Sequence, residues 1–286
     1  MDTEALLPTT SPEGGSKGRK VRNQPAYKTA NSAWQGDFFF VLSSLVVKDF
    51  KIRYRNMSLG VFWSLLNPLI IMGVMWFIFT KVFVSGPAQG FGAFVLCGLV
   101  PYNFFTLAWV TGTLSLVENA PLIKRVPVPR GIVPMAAVLS VGIHLLIQIG
   151  LLLVAVLIAG KGVNWEWLWL PFLWGCEVIF VCGLSLMFSV LNVYVRDTRY
   201  VVESSGAVLF WLVPIFYDLA RVPQRYREIY EFNPVAALVL ACRNVLLDGV
   251  APRAELLVKL VLSSVLVLLA GFAVFRALRR RVYDYL

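Results

Sequence analysis

Apolar residues fall in long uninterrupted blocks along this chain, and the polar positions between them come in short clusters. No charged residue occurs from Asn56 to Thr80, from Val82 to Val117 or from Gly131 to Gly160. Glu177 alone interrupts Trp167 to Val195, Glu203 alone interrupts Tyr200 to Tyr217, and Lys259 alone interrupts Leu256 to Phe275. A helix needs roughly 20 mainly apolar residues to cross a hydrocarbon layer about 30 Å thick, because it rises about 1.5 Å per residue. The blocks therefore predict an all-α integral membrane protein with six transmembrane helices, at about 57–80, 91–117, 131–160, 167–195, 199–217 and 255–275. The second block starts late because Ser85-Gly86-Pro87-Ala88-Gln89-Gly90 is turn chemistry.

Ahead of the first block the pattern changes period. At about 100° per residue, Phe39, Val46, Val47, Phe50, Tyr54 and Met57 share one arc, whereas Lys48, Lys51 and Arg55 fall together on the other side. Residues 37–56 are thus predicted to form an N-terminal amphipathic interfacial helix, apolar face down and basic face toward anionic lipid or a partner. Arg53 sits at the edge of the apolar arc, where it either pairs with Asp49 four residues back or snorkels to water. Residues 1–36 are rich in Ser, Gly, Pro, Thr and Lys, carry no signal-peptide core, and are predicted to be a disordered cytoplasmic tail.

Composition agrees with the blocks: 58% of residues are hydrophobic and 15% charged, where soluble domains carry about a quarter charged. With both termini cytoplasmic, 18 of the 26 lysines and arginines fall on the cytoplasmic side, as the positive-inside tendency requires. The net charge of +10 is therefore assigned to orientation and lipid headgroups, and nucleic acid is not expected as a partner. Cys97, Cys176, Cys182 and Cys242 lie in apolar surroundings without Cys-x-x-Cys spacing, so buried thiols are expected rather than a disulfide framework or a metal site. His144 and Glu177 are the deepest ionisable groups. They are expected to form no proton relay, and Glu177 to be neutral and hydrogen-bonded between helices.

Local breaks add detail. Asn67-Pro68 leaves a backbone acceptor unpaired or kinks the first span, which lipid tolerates only where protein or water repairs it. Such a break shapes a pore or merely packs. Residues 218–255 are too short and too broken for two more spans, so short re-entrant helices are expected between spans five and six. Trp165, Trp167, Trp169 and Trp174 have the look of an interfacial belt.

Four stretches carry a resemblance. Lys48-Asp49-x-Lys51-x-Arg53-Tyr54-Arg55-x-x-x-Leu59-Gly60-x-x-Trp63-x-x-x-x-Pro68 is similar to the segment with which the membrane subunits of ABC-2 class polysaccharide exporters enter the bilayer. Glu118 to Arg130 resembles the family's first cytoplasmic loop, and Asn192-Val193-Tyr194-Val195-Arg196-Asp197 its second. Pro214-Ile215-Phe216-Tyr217, with Val222-Pro223 and Asn233-Pro234, resembles the end of its fifth span and the segment after it. Together they cover about 37–286 in the family's order; Val128 departs from the phenylalanine often found before the loop proline.

The resemblance implies a homodimer that works with two ATPase subunits and exports a lipid-linked polysaccharide such as O-antigen across the bacterial cytoplasmic (inner) membrane. The chain has no G-x-x-x-x-G-K-[ST], so ATP and magnesium would belong to the partner and this chain would be no enzyme and hold no cofactor. Glu118, Asn119, Leu122, Lys124, Arg125, Arg196 and Asp197 become candidates for coupling to the ATPase. A solvated basic loop is the alternative at the first loop, and helix termination at Arg196-Asp197. Trp63, Phe210, Trp211, Phe216 and Tyr217 become substrate-channel candidates, since pyranose faces pack on flat rings; ordinary belt or core packing is the alternative. Arg221, Arg225, Arg227, Asn233 and Arg243 become outer-gate candidates, with a surface cap as the alternative. Other functional readings are export of drugs or small lipids by the same architecture, and an integral membrane glycosyltransferase, for which the Asp-x-Asp metal pair is missing.

Overall fold

A computed structural model describes residues 37–55, 58–82, 90–126, 128–279 and 282–285; the predicted tail, 1–36, lies outside them. All regular structure among these residues is helical. α1 is Phe38–Tyr54, α2 Trp63–Phe77, α3 Phe91–Glu118, α4 Ala120–Arg125, α5 Ile132–Ile158, α6 Leu170–Tyr194, α7 Thr198–Leu212, α8 Gln224–Phe232, α9 Pro234–Arg243, α10 Ala254–Leu278 and α11 Val282–Tyr285. A 3-10 turn, Gly60–Phe62, leads into α2 and a π turn, Ile78–Val82, follows it. Among the described residues five stretches are long and apolar enough to cross a membrane: Gly60–Val82, Phe91–Glu118, Ile132–Ile158, Trp165–Tyr194 and Ala254–Leu278.

The helix expected at 199–217 is shorter than its apolar block. α7 has 15 residues, about 22 Å at 1.5 Å per residue. It stops at Leu212 because Pro214 disfavours helical backbone in the residue before it, and Val213 is extended at φ −84°, ψ 134°. The chain then stays irregular to Tyr217 while Val213, Ile215 and Phe216 remain buried.

α3 and α6 form the centre. α5, α7 and α9 pack on α3, and α10 lies along α6. Leu96, Leu99, Phe104, Phe105, Leu152, Leu173 and Leu238 fill the core and are fully buried. The α6–α10 seam depends on Gly183 and Gly271: a Cβ on Gly183 would stand 2.6 Å from Leu268 backbone, and one on Gly271 would strike the Gly183 carbonyl. Small residues here let two backbones touch, the usual basis of helix association where lipid supplies no hydrophobic drive.

A second cluster sits at the end that carries α4. Leu45 of α1, Ile123 of α4, Ile132 and Val133 of α5, Val190 of α6 and Phe275 of α10 pack together. α1 packs on the bundle through Leu45 and, from the predicted apolar arc, through Val46 and Tyr54. Its contacts climb along α3 and α5, from Leu45 in this cluster, through Lys48 at Asn119 and Arg53 at Thr111, to Tyr54 at His144. Phe39 is 78% exposed and Val47 is exposed as well. Arg53 therefore faces protein, and its Nη2 donates to Thr111 Oγ1 at 3.3 Å. Asp49 pairs with Lys48 at 2.9 Å instead. Lys51 and Arg55 are exposed.

The four cysteines are buried and free. Glu177 departs from expectation: it is 2% exposed yet makes no hydrogen bond among the described residues. Among the described residues no polar side chain of a neighbouring helix bonds to it.

Candidate functional site

The aromatic candidates on α7 and beyond it come together through the Pro214 break. Leaving the helix, the chain turns Phe216 back so that its ring lies 5.2 Å from Phe210 and 5.7 Å from Trp211, centroid to centroid, while Phe210 and Trp211 are 5.6 Å apart. Tyr217 continues the group at 6.2 Å from Phe216. Residues that sequence reasoning passed over extend it: Phe79 stacks on Phe216 at 6.1 Å and lies tilted against Phe91 at 5.9 Å, and Tyr230 lies 6.4 Å from Tyr217. Rings at these spacings and tilts hold one another rigidly. Trp63 does not join them. It begins α2 and is 44% exposed, whereas Phe79 is 16 residues further on, about 24 Å along a helix.

Between α3 and α7 lies a cavity of about 310 Å³ lined by Tyr102, Thr106, Trp109, Glu203, Gly206 and Phe210, among others. Tyr102 spans its floor by donating to the Gly206 carbonyl, and its ring packs on Phe210 at 5.4 Å. Trp109 Nε1 is buried without a hydrogen-bond partner. Glu203 meets Arg199 at 2.7 Å at the rim. Flat rings and a carboxylate are groups that hold a sugar's C–H face and a hydroxyl, while the Trp109 N–H is closed off from the cavity. The available signal for Tyr102 and Trp109 was their spacing of seven residues, two turns apart on one helix face, inside an uncharged run.

The basic candidates at this end are mostly backbone clamps. Arg243 is 5% exposed. Its Nη2 donates to the Ile215 carbonyl at 2.7 Å, and its guanidinium lies 3.6 Å from the Phe94 ring centroid. Ile215 is in the broken segment, so its carbonyl has no helical donor and Arg243 supplies one. Arg227 donates from Nε to Val222 O at 2.8 Å and from Nη2 to Ala220 O at 2.7 Å. Asn233 Oδ1 accepts from Val235 N at 3.0 Å, capping α9, and Arg225 stacks on Tyr226 at 4.5 Å. The Arg221 side chain lies outside the described residues. The two short helices expected between spans are α8 and α9, of which α9 is buried.

At the opposite end, α3 hands over to α4 at Asn119. Its Oδ1 accepts from Lys48 Nζ at 2.5 Å, and its Nδ2 donates to Ser115 O at 2.9 Å, closing the end of α3. Ile123, 1% exposed, anchors α4, and Leu122 is half-buried beside it. Glu118, Lys124 and Arg125 are exposed. Arg196 and Asp197 are exposed too; Asp197 stands at the start of α7 but its side chain caps nothing, which leaves the helix-termination reading without its hydrogen bond. Ile123 and Leu122 of α4 pack in the same cluster as Val193 and Tyr194 at the end of α6, so the turns after α3 and α6 lie at one end of the bundle. Glu118, Lys124, Arg125, Arg196 and Asp197 are exposed there, while Ile123 and Asn119 hold α4 from behind.

The chain matches the ABC-2 type transporter family over residues 41–247. It is 29% identical over 252 residues to an O-antigen export system permease protein RfbA of Klebsiella pneumoniae, covering 88% of this chain and 96% of that protein. An O-antigen export system permease protein RfbA of Myxococcus xanthus is 26% identical over 241 residues, 84% of this chain and 92% of that one. The polysialic acid transport protein KpsM of Escherichia coli is 24% identical over 241 residues, 82% and 92% respectively.

Proposed function

We propose, since this chain belongs to the ABC-2 type transporter family, that it is the membrane subunit of an ATP-driven exporter of a lipid-linked polysaccharide such as O-antigen. The observation that carries the reading is the family match, joined to nearly full-length relatives named for O-antigen export and polysialic acid transport. The protein is a multi-pass membrane protein; in this reading it sits in the bacterial cytoplasmic membrane with both termini inside, works as a homodimer, and is driven by two ATPase subunits that bind ATP and magnesium. The exposed surface formed by Glu118, Lys124, Arg125, Arg196 and Asp197 receives those subunits. An anchored helix of six residues held by one buried isoleucine can pass a push to α3 and α1 without unfolding.

The substrate path runs by the aromatic group of Phe210, Trp211, Phe216 and Tyr217 and by the cavity next to it. A glycan is preferred to a drug or small lipid as cargo on the names of the nearly full-length relatives; the cavity offers it aromatic faces, with Glu203 among the lining residues. Trp63 serves the path near the other end of the first span. Arg225, Arg227, Asn233 and Arg243 stiffen the mouth, so gating would move α8 and α9 as a unit.

Affinity purification of the tagged chain from native membranes, with mass spectrometry of stoichiometric companions, tests the reading. A bound ATPase carrying a Walker sequence is the expected outcome. A chain that purifies alone would sink it and revive the membrane glycosyltransferase.

A further inference from the structure

Pro68 has no N–H to offer the carbonyl four residues back, so Ser64 C=O lacks its helical donor. Gln148, from the middle of α5 and 1% exposed, supplies one: its Nε2 donates to Ser64 O at 3.0 Å. The same nitrogen lies 2.9 Å from His144 Nε2. His144 Nδ1 in turn lies 2.6 Å from the hydroxyl of Tyr54, the last residue of α1. Donor accounting orders this chain. An amide nitrogen donates only, so with one hydrogen on Ser64 O its other hydrogen requires His144 Nε2 to accept. The imidazole is then neutral, and its Nδ1–H donates to the Tyr54 oxygen.

Two more bonds fasten the other side of α1. Arg53 Nη2 donates to Thr111 of α3 at 3.3 Å, and Lys48 Nζ donates to Asn119, where α3 gives way to α4. Polar contacts therefore lead from α4 through Asn119 and Lys48 into α1, and from its end through Tyr54, His144 and Gln148 to the kink in the first span. The covalent route from α1 to α2 is a poor substitute, since it passes through Gly60 at φ 50°, a backbone state that glycine enters and leaves freely.

We propose that Tyr54, His144 and Gln148 are positioning residues that fasten the end of α1 to the Pro68 kink, so that displacement of α1 by the Glu118–Arg125 loop reaches the first span as movement of the kink. This inference rests on the transport reading above. Ionisable and polar groups inside a span are costly and persist where they serve a purpose. Repair of one carbonyl needs Gln148 alone; His144 and Tyr54 extend the repair into a connection between two elements.

The test uses the full-length chain with its co-purified ATPase in proteoliposomes, with spin labels on the exposed positions Ser44→Cys in α1 and Gly73→Cys in α2. Label distances are read by pulsed electron paramagnetic resonance, and export is read per ATP hydrolysed. The parent should give one narrow distance distribution that stays narrow with ATP. Tyr54→Phe, which removes one hydroxyl and keeps the fold, and Gln148→Met should each broaden it and lower export per ATP at least fivefold while ATP turnover stays within twofold. Adding Pro68→Ala to Gln148→Met restores an N–H for Ser64 O; it should recover any lost thermal stability but leave export per ATP low. Unchanged distances and unchanged export per ATP in Tyr54→Phe and Gln148→Met would overturn the proposal, as would full recovery of export in the Pro68→Ala double variant. Failure of the parent to bind an ATPase or to export refutes the transport reading instead, and the distance comparison without ATP still decides whether the residues fasten the two helices.

Discussion

Replacing Arg243 tests whether the broken segment after α7 is held by a buried guanidinium, and lysine and methionine should rank in an order that chemical similarity does not suggest. Arg243 makes one short bond, to Ile215 O at 2.7 Å, and covers the Phe94 ring at 3.6 Å, with longer contacts to Phe94 O at 3.4 Å and Tyr217 O at 3.5 Å. In Arg243→Met the Ile215 carbonyl loses its donor, at a cost of about 1–3 kcal/mol, and the ring loses its cation, about 0.5–2 kcal/mol. Against this, a charge that was 5% exposed no longer has to be desolvated, which returns part of the loss; a net cost of about 1–2 kcal/mol remains. Arg243→Lys keeps the buried charge but has no planar fork to serve three carbonyls and a ring together. Its cost should approach the roughly 3–5 kcal/mol of a buried charge deprived of partners. At about 2–4 °C per kcal/mol for a chain of this size, the lysine variant should melt roughly 6–20 °C below the parent. The methionine variant should fall less than half as far. Thermal unfolding in detergent, followed by intrinsic tryptophan fluorescence, measures both. A lysine variant as stable as the parent, or more stable than the methionine variant, would refute the clamp.

Other consequences can be checked alongside. Gly271→Leu should force α10 off α6 and cost about 3 kcal/mol or more, seen as loss of the monodisperse peak in size-exclusion chromatography, whereas Gly142→Ala, which meets open space, should elute as the parent does. Charge reversal at Glu118 or Arg125, both exposed, should abolish export with membrane insertion and dimer formation intact; loss of folding would make the loop structural instead. Phe210→Leu and Trp109→Leu should each cut export at least tenfold while ATP hydrolysis persists, measured in proteoliposomes with a lipid-linked oligosaccharide. Equal export would take the cavity out of the substrate path.

The spans were legible because hydrocarbon imposes a demand on every residue of a long block, and that demand is written as missing charge. The same signal overran at the fifth span. Residues 213–217 are apolar because they are buried, and hydropathy reports the surroundings of a residue without reporting its backbone. Pro214 did mark the break, yet Pro68 and Pro101 sit inside helices in the same chain, so a proline alone does not tell a kink from an end. For α1 the sequence left open which residues meet protein. The arc sorted residues by their affinity for water, whereas the protein contacts of Arg53, Lys48 and Tyr54 are to Thr111, Asn119 and His144, polar partners 58, 71 and 90 residues away.

Carbonyl accounting explains which parts of the site were beyond a single sequence. Pro68 states, from the sequence alone, that Ser64 O needs a donor, and Pro214 that the helix before it is broken, which leaves carbonyls of the irregular segment around Ile215 without helical donors. Neither names the donor. Gln148 and Arg243 answer from 84 and 28 residues away. Each stands at a helix position that composition would assign to lipid or to positive charge in general. The aromatic group obeys the same logic, for Phe79, Phe91 and Phe216 meet only because one span ends, another begins and a third breaks at a common level. Wherever regular backbone stops inside the bundle, the side chains that complete it come from elsewhere in the chain, and those completing residues are the ones through which the helices can move one another.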